Sequence, residues 1–195
     1  TSELKDSTNS SILTYGSFAV FNSLLFFQGE VDSTKGKELW VTDGTAANTS
    51  MLKDLNPGSS ASSPGGFTVF NSKLYFQASA PNQNLFVTDG TAGNTSELKD
   101  STNSSILTYG SFAVFNSLLF FQGEVDSTKG KELWVTDGTA ANTSMLKDLN
   151  PGSSASSPGG FTVFNSKLYF QASAPNQNLF VTDGTAGNTS ELKDS

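Results

Sequence analysis

Apolar residues along this chain stand in short clusters, and no stretch shows the three-to-four-residue spacing of an amphipathic helix. The clusters are rich in aromatic and β-branched residues and are bounded by Gly, Asn, Pro and Ser, which is typical of strands. Asn22-Ser23 predicts a two-residue hairpin turn, because Asn tolerates the positive φ that such turns need. The first four predicted strands are 18–21, 24–28, 38–42 and 50–55.

The same order of strands and turns follows at 67–70, 73–78, 84–88 and 96–100. The first two strands carry apolar residues on both faces, for example Phe18 and Val20 on one and Ala19 and Phe21 on the other, so we expect both faces to be buried. The fourth strand of each group contains charged as well as apolar residues and is expected to be half-exposed. The side chains expected in the core, with their counterparts 94 residues later, are Phe18, Val20, Phe26, Leu39, Val41, Phe67, Val69, Leu74, Phe76, Leu85 and Val87.

Residues 1–94 recur without a single change as 95–188, and 189–195 repeat 1–7. Each repeat is itself two related halves, because the segment 38–45 is answered by 84–91. The modules are 1–48, 49–94, 95–142 and 143–188, and a period in the forties is typical of stacked or circular repeat folds. We therefore predict an all-β fold, a β-propeller of four-stranded antiparallel blades with four blades per chain. A β-sandwich is the alternative, but it gives no reason for equivalent modules.

Four blades make a tight ring, so we expect two chains to close an eight-bladed ring as a homodimer, with a four-bladed monomer as the alternative. Residues 1–7 and 189–195 have the same sequence, so either copy could supply the strand that closes the ring. Packing of Ile12, Leu13 and Tyr15 on the neighbouring blade favours 1–7 as the closing strand, which leaves 189–195 as a redundant copy.

The amino-acid composition limits the classes of binding partner that we expect. The net charge of −7 argues against nucleic acid, whose phosphates are bound by Lys and Arg. The longest apolar runs are four residues, far too short to span a membrane, and the chain has no Cys. The predicted partner is therefore another copy of the chain, without nucleic acid, membrane or cofactor.

The loop after the second strand is the densest cluster of charge. Glu30, Asp32 and Glu38 could offer oxygen ligands to a cation such as Ca²⁺, although Lys35 and Lys37 would partly neutralise such a site. The spacing matches no known calcium loop, and a solvated hairpin loop is the alternative. The counterparts in the second repeat are Glu124, Asp126 and Glu132.

Two further groups have both a chemical and a structural interpretation. Asp43 in Asp-Gly-Thr could be a catalytic carboxylate, but its recurrence in every module favours a turn residue. Trp40 and Trp134, with Phe26 and Phe27, could form a sugar-stacking platform, but inter-blade packing is favoured. The chain has no His or Cys for nucleophilic catalysis, so we predict no catalytic residues and expect no enzyme.

The run Glu-Leu-Trp-Val-Thr-Asp-Gly-Thr at 38–45 and 132–139 resembles the signature of bacterial ELWxxDGT repeat proteins. The resemblance implies β-propellers of secreted or surface-exposed proteins, although Asn84 and Phe86 depart from it in the even modules. The perfect identity is similar to that of computationally symmetrised designer propellers. The sequence thus predicts a non-enzymatic symmetric scaffold that folds and self-assembles. The alternative is a ligand- or surface-binding module for a glycan or a cation.

Overall fold

The computed structural model describes residues 3–193. Within that range the chain forms sixteen strands and two three-residue 3-10 helices, Ala46–Asn48 and Ala140–Asn142, which confirms the all-β prediction. No helix in the described range is long and apolar enough to cross a membrane. The strands are β1 Leu13–Phe21, β2 Leu24–Glu30, β3 Glu38–Thr42, β4 Ser50–Lys53, β5 Gly65–Phe70, β6 Lys73–Ser79, β7 Gln83–Thr88, β8 Ser96–Glu97, β9 Leu107–Phe115, β10 Leu118–Glu124, β11 Glu132–Thr136, β12 Ser144–Lys147, β13 Gly159–Phe164, β14 Lys167–Ser173, β15 Gln177–Thr182 and β16 Ser190–Glu191.

Each successive group of four strands pairs antiparallel in chain order, as a propeller blade does. The chain divides into two compact units, Thr1–Glu97 and Leu98–Ser195. The first holds β1–β8 and the second β9–β16, so each unit contains two blades. That the four blades form one array stays a prediction.

The hairpin turns form where the sequence predicts them. Asn22 and Ser23 both have positive φ, 50° and 61°, which is the backbone that a two-residue hairpin turn needs. The first strand is longer than predicted, because it continues through a bulge between Tyr15 and Phe18. Gly16 has a φ of 69° at that bulge, a conformation that a glycine adopts without steric cost.

The core of the first unit is built from the inward faces of its two blades. Phe26, Leu39, Leu74 and Phe76 are completely buried there, as predicted. The rings of Phe76 and Phe86 stack with their centroids 5.8 Å apart. The second unit repeats this core with Phe120, Leu133, Leu168, Phe170 and Phe180.

The prediction that both faces of the first strand are buried is wrong. Phe18 is 53% exposed and Val20 is 71% exposed. Side chains alternate between the two faces of a strand. The ring of Phe21 lies 6.0 Å from that of Phe26, centroid to centroid, so the face that carries Phe21 is the one turned towards the core. Val20 consequently faces the other way. The equivalent valines are exposed in every blade, namely Val69, Val114 and Val163.

The two copies of the duplicated end have different secondary structure, and which of them closes the predicted ring stays a prediction. Ser190–Glu191 is the outer strand of the last blade and pairs with β15, and Leu192 N donates to Leu179 O at 2.8 Å. The described part of the N-terminal copy, 3–7, forms no strand and has one isolated bridge, Lys5 to Ser11. Residues 1–2 and 194–195 lie outside the described residues. In this chain the C-terminal copy, rather than the N-terminal one, completes a blade.

Removing one buried ring from each repeat should bring the protein close to unfolding. Phe76→Ala with Phe170→Ala deletes two side chains that are almost completely buried, at about 3–5 kcal/mol each. A small domain has only about 5–15 kcal/mol in total. Val20→Ala with Val114→Ala, at exposed positions, is the control and should change little. Urea unfolding followed by circular dichroism would measure both, and equal midpoints would contradict the core assignment.

Truncation tests which end completes a blade. Deleting 190–195 removes β16 and its backbone hydrogen bonds, each with a net value of about 1 kcal/mol. We expect the melting temperature to fall by several degrees, at about 2–4 °C per kcal/mol for a chain of this length. Deleting 1–4 should change it little, because Glu3 and Leu4 belong to no strand. A larger loss from the N-terminal deletion would restore the first assignment.

Candidate functional site

The four Asp-Gly-Thr corners are turns whose carboxylates are occupied by local donors. Asp43 Oδ1 accepts hydrogen bonds from Thr45 N at 2.9 Å and Thr45 Oγ1 at 2.7 Å, and its Oδ2 accepts one from Asn48 Nδ2 at 2.7 Å. These hydrogen bonds from Thr45 and Asn48 lower the pKa of Asp43. The arrangement recurs at Asp89, Asp137 and Asp183. Its recurrence supports the turn interpretation over the catalytic one.

Glu38 is a buried carboxylate that joins one blade to the next segment. Its Oε2 accepts hydrogen bonds from Leu55 N at 2.7 Å and Ser62 Oγ at 2.6 Å, and its Oε1 accepts one from Ser62 N at 2.9 Å. Burial raises the pKa of Glu38, and the hydrogen bonds from Ser62 and Leu55 offset only part of that effect. The side chain therefore holds the connection between β4 and β5 against β3. Glu132 has the same partners in the second unit, Leu149 and Ser156.

The other two carboxylates of the predicted cation loop have separate partners. Glu30 Oε2 accepts from the Tyr15 hydroxyl at 3.1 Å, and Asp32 Oδ1 accepts from Thr34 N at 2.8 Å. Glu124 and Asp126 repeat these contacts. Among residues 3–193 no three His, Cys, Asp or Glu side chains are grouped so that they could hold a metal ion. The cation site stays a prediction.

Trp40 packs in a row of rings on one face of its blade, but Phe26, which the sequence analysis grouped with it, lies on the other face opposite Val41. Phe18, Phe27 and Trp40 follow one another across β1, β2 and β3, with centroids 6.0 and 6.5 Å apart. Phe27 and Trp40 are buried, which favours the packing interpretation. Gly29 is needed beside the indole, because an added Cβ would lie 2.8 Å from Trp40 Cδ1.

A pocket beside Trp40 was not predicted from the sequence. It has a volume of about 270 Å³, and its counterpart beside Trp134 has about 320 Å³. We call each one an indole pocket. Segments far apart in the sequence meet there, so no local motif could have indicated it. The residues that define the first one are Asp6, Thr8, Asp32, Lys35, Trp40 and Met51.

The last blade exposes a face whose sequence is buried in the second blade. Phe164 is 59% exposed, whereas the identical Phe70 is 4% exposed. Leu179 is 48% exposed, whereas Leu85 is completely buried. Strand register places Phe164 and Leu179 on one face of the sheet together with Tyr169, because Phe164 lies opposite Lys167 and Leu179 opposite Gln171. We call this the last-blade face.

The first blade also exposes apolar side chains whose counterparts in the other repeat are less exposed. Leu13 and Phe18 are exposed, whereas their counterparts Leu107 and Phe112 are partly buried. Leu4 shows the same difference from its counterpart Leu98, which is buried. Strand register places Leu13 opposite Glu30 and Phe18 opposite Phe27, so these two side chains lie on opposite sides of the sheet. We call the side of the sheet that carries Phe18 the first-blade face. The two faces carry apolar side chains whose counterparts in the other repeat are less exposed, and their chemistry suits contact with another apolar protein surface.

No protein-family model and no curated protein matches this sequence. Among solved structures, a puromycin hydrolase variant crystallised with PGG has a TM-score of 0.58 at 13% identity, covering 98% of this chain and 28% of that one. A puromycin-hydrolyzing peptidase from Mycobacterium tuberculosis has a TM-score of 0.57 at 15% identity, covering 92% of this chain and 29% of that one. This chain thus spans less than a third of their length. These neighbours have β-propeller-type folds, and the chain shares that fold with its repeated blades.

The expectation that the chain is not an enzyme is contradicted by these neighbours, which are hydrolases. The same fold therefore supports hydrolysis in other proteins, and absence of His from this sequence was too narrow a basis for excluding it. At identities of 13% and 15% the likeness shows the fold alone.

The buried carboxylate is open to a direct test. Glu38→Ala with Glu132→Ala leaves buried donors without acceptors, at about 1–3 kcal/mol for each repeat. Glu30→Ala with Glu124→Ala, in the same loops, removes the same charge but only one accepted hydrogen bond from each. Thermal unfolding should show a clearly larger loss for the first pair. Equal losses would mean that Glu38 does not fasten the connection.

Proposed function

We propose that this chain is a symmetric repeat propeller whose main property is self-association, with a second copy of the chain as its partner. The observation that supports it is the difference between identical faces. The side chain of Phe70 is buried and that of Phe164 is exposed, although both stand in the same 94-residue sequence. A face that the repeat can bury is thus left uncovered at the last blade.

A second copy has the surface that such a face requires. Each chain carries one last-blade face and one first-blade face, and each exposes large apolar side chains, although Lys167 and Gln171 also lie on the last-blade face. Burying apolar surface stabilises by about 25 cal/mol per Å² removed from water, so their contact is favourable. The contact joins two different surfaces and is heterologous, and it gives a closed ring if the rotation between copies closes. Two chains with four blades each give the eight-bladed homodimer.

The history of the sequence supports the same proposal. The two 94-residue repeats are identical even at exposed loop residues, where substitutions normally accumulate first. The repeat is therefore either newly duplicated or deliberately constructed, and we favour construction. A constructed repeat derived from an ELWxxDGT propeller would keep the packing faces of its parent. If every blade keeps these packing faces, all of them are covered only when each blade has a neighbour on both sides, as in a closed ring.

A second candidate function is binding of a small ligand, and the indole pockets favour it. They occur once in each unit, in the odd blades, and combine an apolar floor with carboxylates and hydroxyls. Trp40 lies on the same side of the sheet as Phe18, because both are paired with Phe27, so ligand binding and self-association would use the same side of the first blade.

A charge on the last-blade face should separate the two chains. We expect the unchanged protein at tens of micromolar to have about twice the 20.5 kDa mass of one chain. Phe164→Lys should give the mass of one chain, because a lysine would have to be buried without a partner. Multi-angle light scattering after size exclusion would measure both masses.

Val163→Lys is the matched control. Val163 is next in the sequence, faces the opposite side of the sheet, and is 50% exposed against 46% for Val69. Because its exposure hardly differs between repeats, the same charge there should leave the dimer intact. A mass near 20.5 kDa for the unchanged protein would overturn the dimer, and a mass that grows steadily with concentration would overturn closure.

A further inference from the structure

In each unit, the hairpin turn of the odd blade contacts a corner of the even blade. Asn22 Nδ2, in the turn between β1 and β2, donates a hydrogen bond to Asp89 O at 3.5 Å. Asn116 Nδ2, in the turn between β9 and β10, donates to Asp183 O at 3.1 Å. Both acceptors belong to the Asp-Gly-Thr corner of the next blade. We call this hydrogen bond the turn-to-corner contact.

An aromatic ring from the same odd blade lies beside the glycine of that corner. A Cβ added to Gly90 would lie 3.6 Å from Phe26 Cζ, and one added to Gly184 would lie 3.7 Å from Phe120 Cζ. These are ordinary van der Waals distances, so the ring packs against the corner without crowding. The corner of an even blade therefore has two neighbours from the blade before it, an amide and a ring.

The identical corner of the first blade has neither neighbour among residues 3–193. Asp43 and Gly44 are exposed, whereas Asp89 and Asp183 are half-buried. The hydrogen bonds that Asp43 accepts come from its own turn. A Cβ added to Gly44 would have no atom within 4 Å. The first blade thus presents an acceptor and a packing site that are occupied in the even blades.

The hairpin turn of the last blade has the matching donor. Asn165 has a φ of 47°, close to the 49° of Asn116, so the two turns share a backbone conformation. The side chain of Asn165 is exposed, and its amide has no hydrogen-bond partner among the described residues. Tyr169 is the third residue of β14, as Phe120 is of β10, and it lies on the last-blade face. The last blade therefore presents the amide and the ring that the first-blade corner lacks.

We propose that the turn-to-corner contact also forms between two copies of this chain. Asn165 Nδ2 of one copy donates to Asp43 O of the other, and Tyr169 packs beside Gly44 of that other copy. This inference rests on the proposed self-association and adds the polar contact that orients it. Apolar faces alone can slide over each other, whereas a hydrogen bond requires its donor and acceptor to align. A dimer that closes contains this contact twice, because the junction is heterologous.

Cross-linking between different chains tests the contact, because the sequence has no cysteine. One variant carries Ser166→Cys, next to Asn165, and the other carries Ala46→Cys, just after the first-blade corner. Both positions are exposed, and neither takes part in the hydrogen bond. The two variants are unfolded and refolded together, and a short bismaleimide is added. We expect a covalent dimer of twice the 20.5 kDa mass on a denaturing gel.

Two controls accompany the cross-linking. Ser117→Cys with Ala186→Cys in one chain flanks the contact between Asn116 and Asp183, so its intrachain link, detected by mass spectrometry, shows that the reagent spans the distance. Ser166→Cys alone should give no covalent dimer. A link between two copies of that variant would mean that two last-blade faces meet, and it would overturn the proposal.

Light scattering on the unchanged protein separates this inference from the self-association on which it rests. If the protein is a dimer and the intrachain pair links, but the mixed variants do not, the contact is overturned and self-association stands. If the protein is a monomer, both are overturned.

Asn165→Gly tests the hydrogen bond itself, because glycine keeps the positive φ of the turn and removes the amide. One neutral hydrogen bond is worth about two- to tenfold in affinity, so losing two should raise the Kd of the dimer about fivefold to a hundredfold. The matched control is Asn103→Gly, at an exposed asparagine with a φ of 65° outside the blade faces, and it should leave the Kd unchanged. Sedimentation equilibrium measures both values. An unchanged Kd for a folded Asn165→Gly would overturn the contact.

Discussion

Every blade of this protein depends on a neighbour, because its sheet is apolar on more surface than one blade can bury. Tyr75 is completely buried, and the identical Tyr169 is partly exposed. Intrinsic preference cannot explain this difference, since the two residues stand in the same sequence. Coverage by other parts of the protein decides it. The sequence of a blade therefore does not by itself bury all of its apolar surface, which is also true of single units in other repeat folds.

Among the described residues, one buried polar contact occurs in all four blades and another occurs in alternate blades. The buried threonine pair Thr42 and Thr49, with hydroxyl oxygens 2.6 Å apart, recurs in all four blades within the described range. The Glu38 network exists only in odd blades. In the even blades Asn84 stands there, and its Oδ1 is buried without a partner among residues 3–193. The two halves of the repeat thus share a fold but differ in the buried polar contacts at this position.

Local features were predictable from the sequence, and long-range ones were not. Strands and hairpin turns follow from neighbouring residues, as Asn22 and Ser23 show. Alternation indicates which side chains share a face, but it does not say whether that face is covered, so Val20 was misplaced. Glu38 was taken for a loop carboxylate because its donors lie 17 and 24 residues away. The indole pocket was missed for the same reason, since its walls meet only after folding.

The duplicated ends show the same dependence at the level of secondary structure. Ser96–Glu97 and Ser190–Glu191 are strands, each paired to the strand before it. Glu3 has the same flanking sequence but belongs to no strand. A strand needs an edge to pair with, and among residues 3–193 no strand offers its edge to Glu3. A second copy would offer the edge of its β15, but its own β16 already occupies that edge. Two identical segments therefore compete for one position in a closed assembly, and one of them must remain outside it.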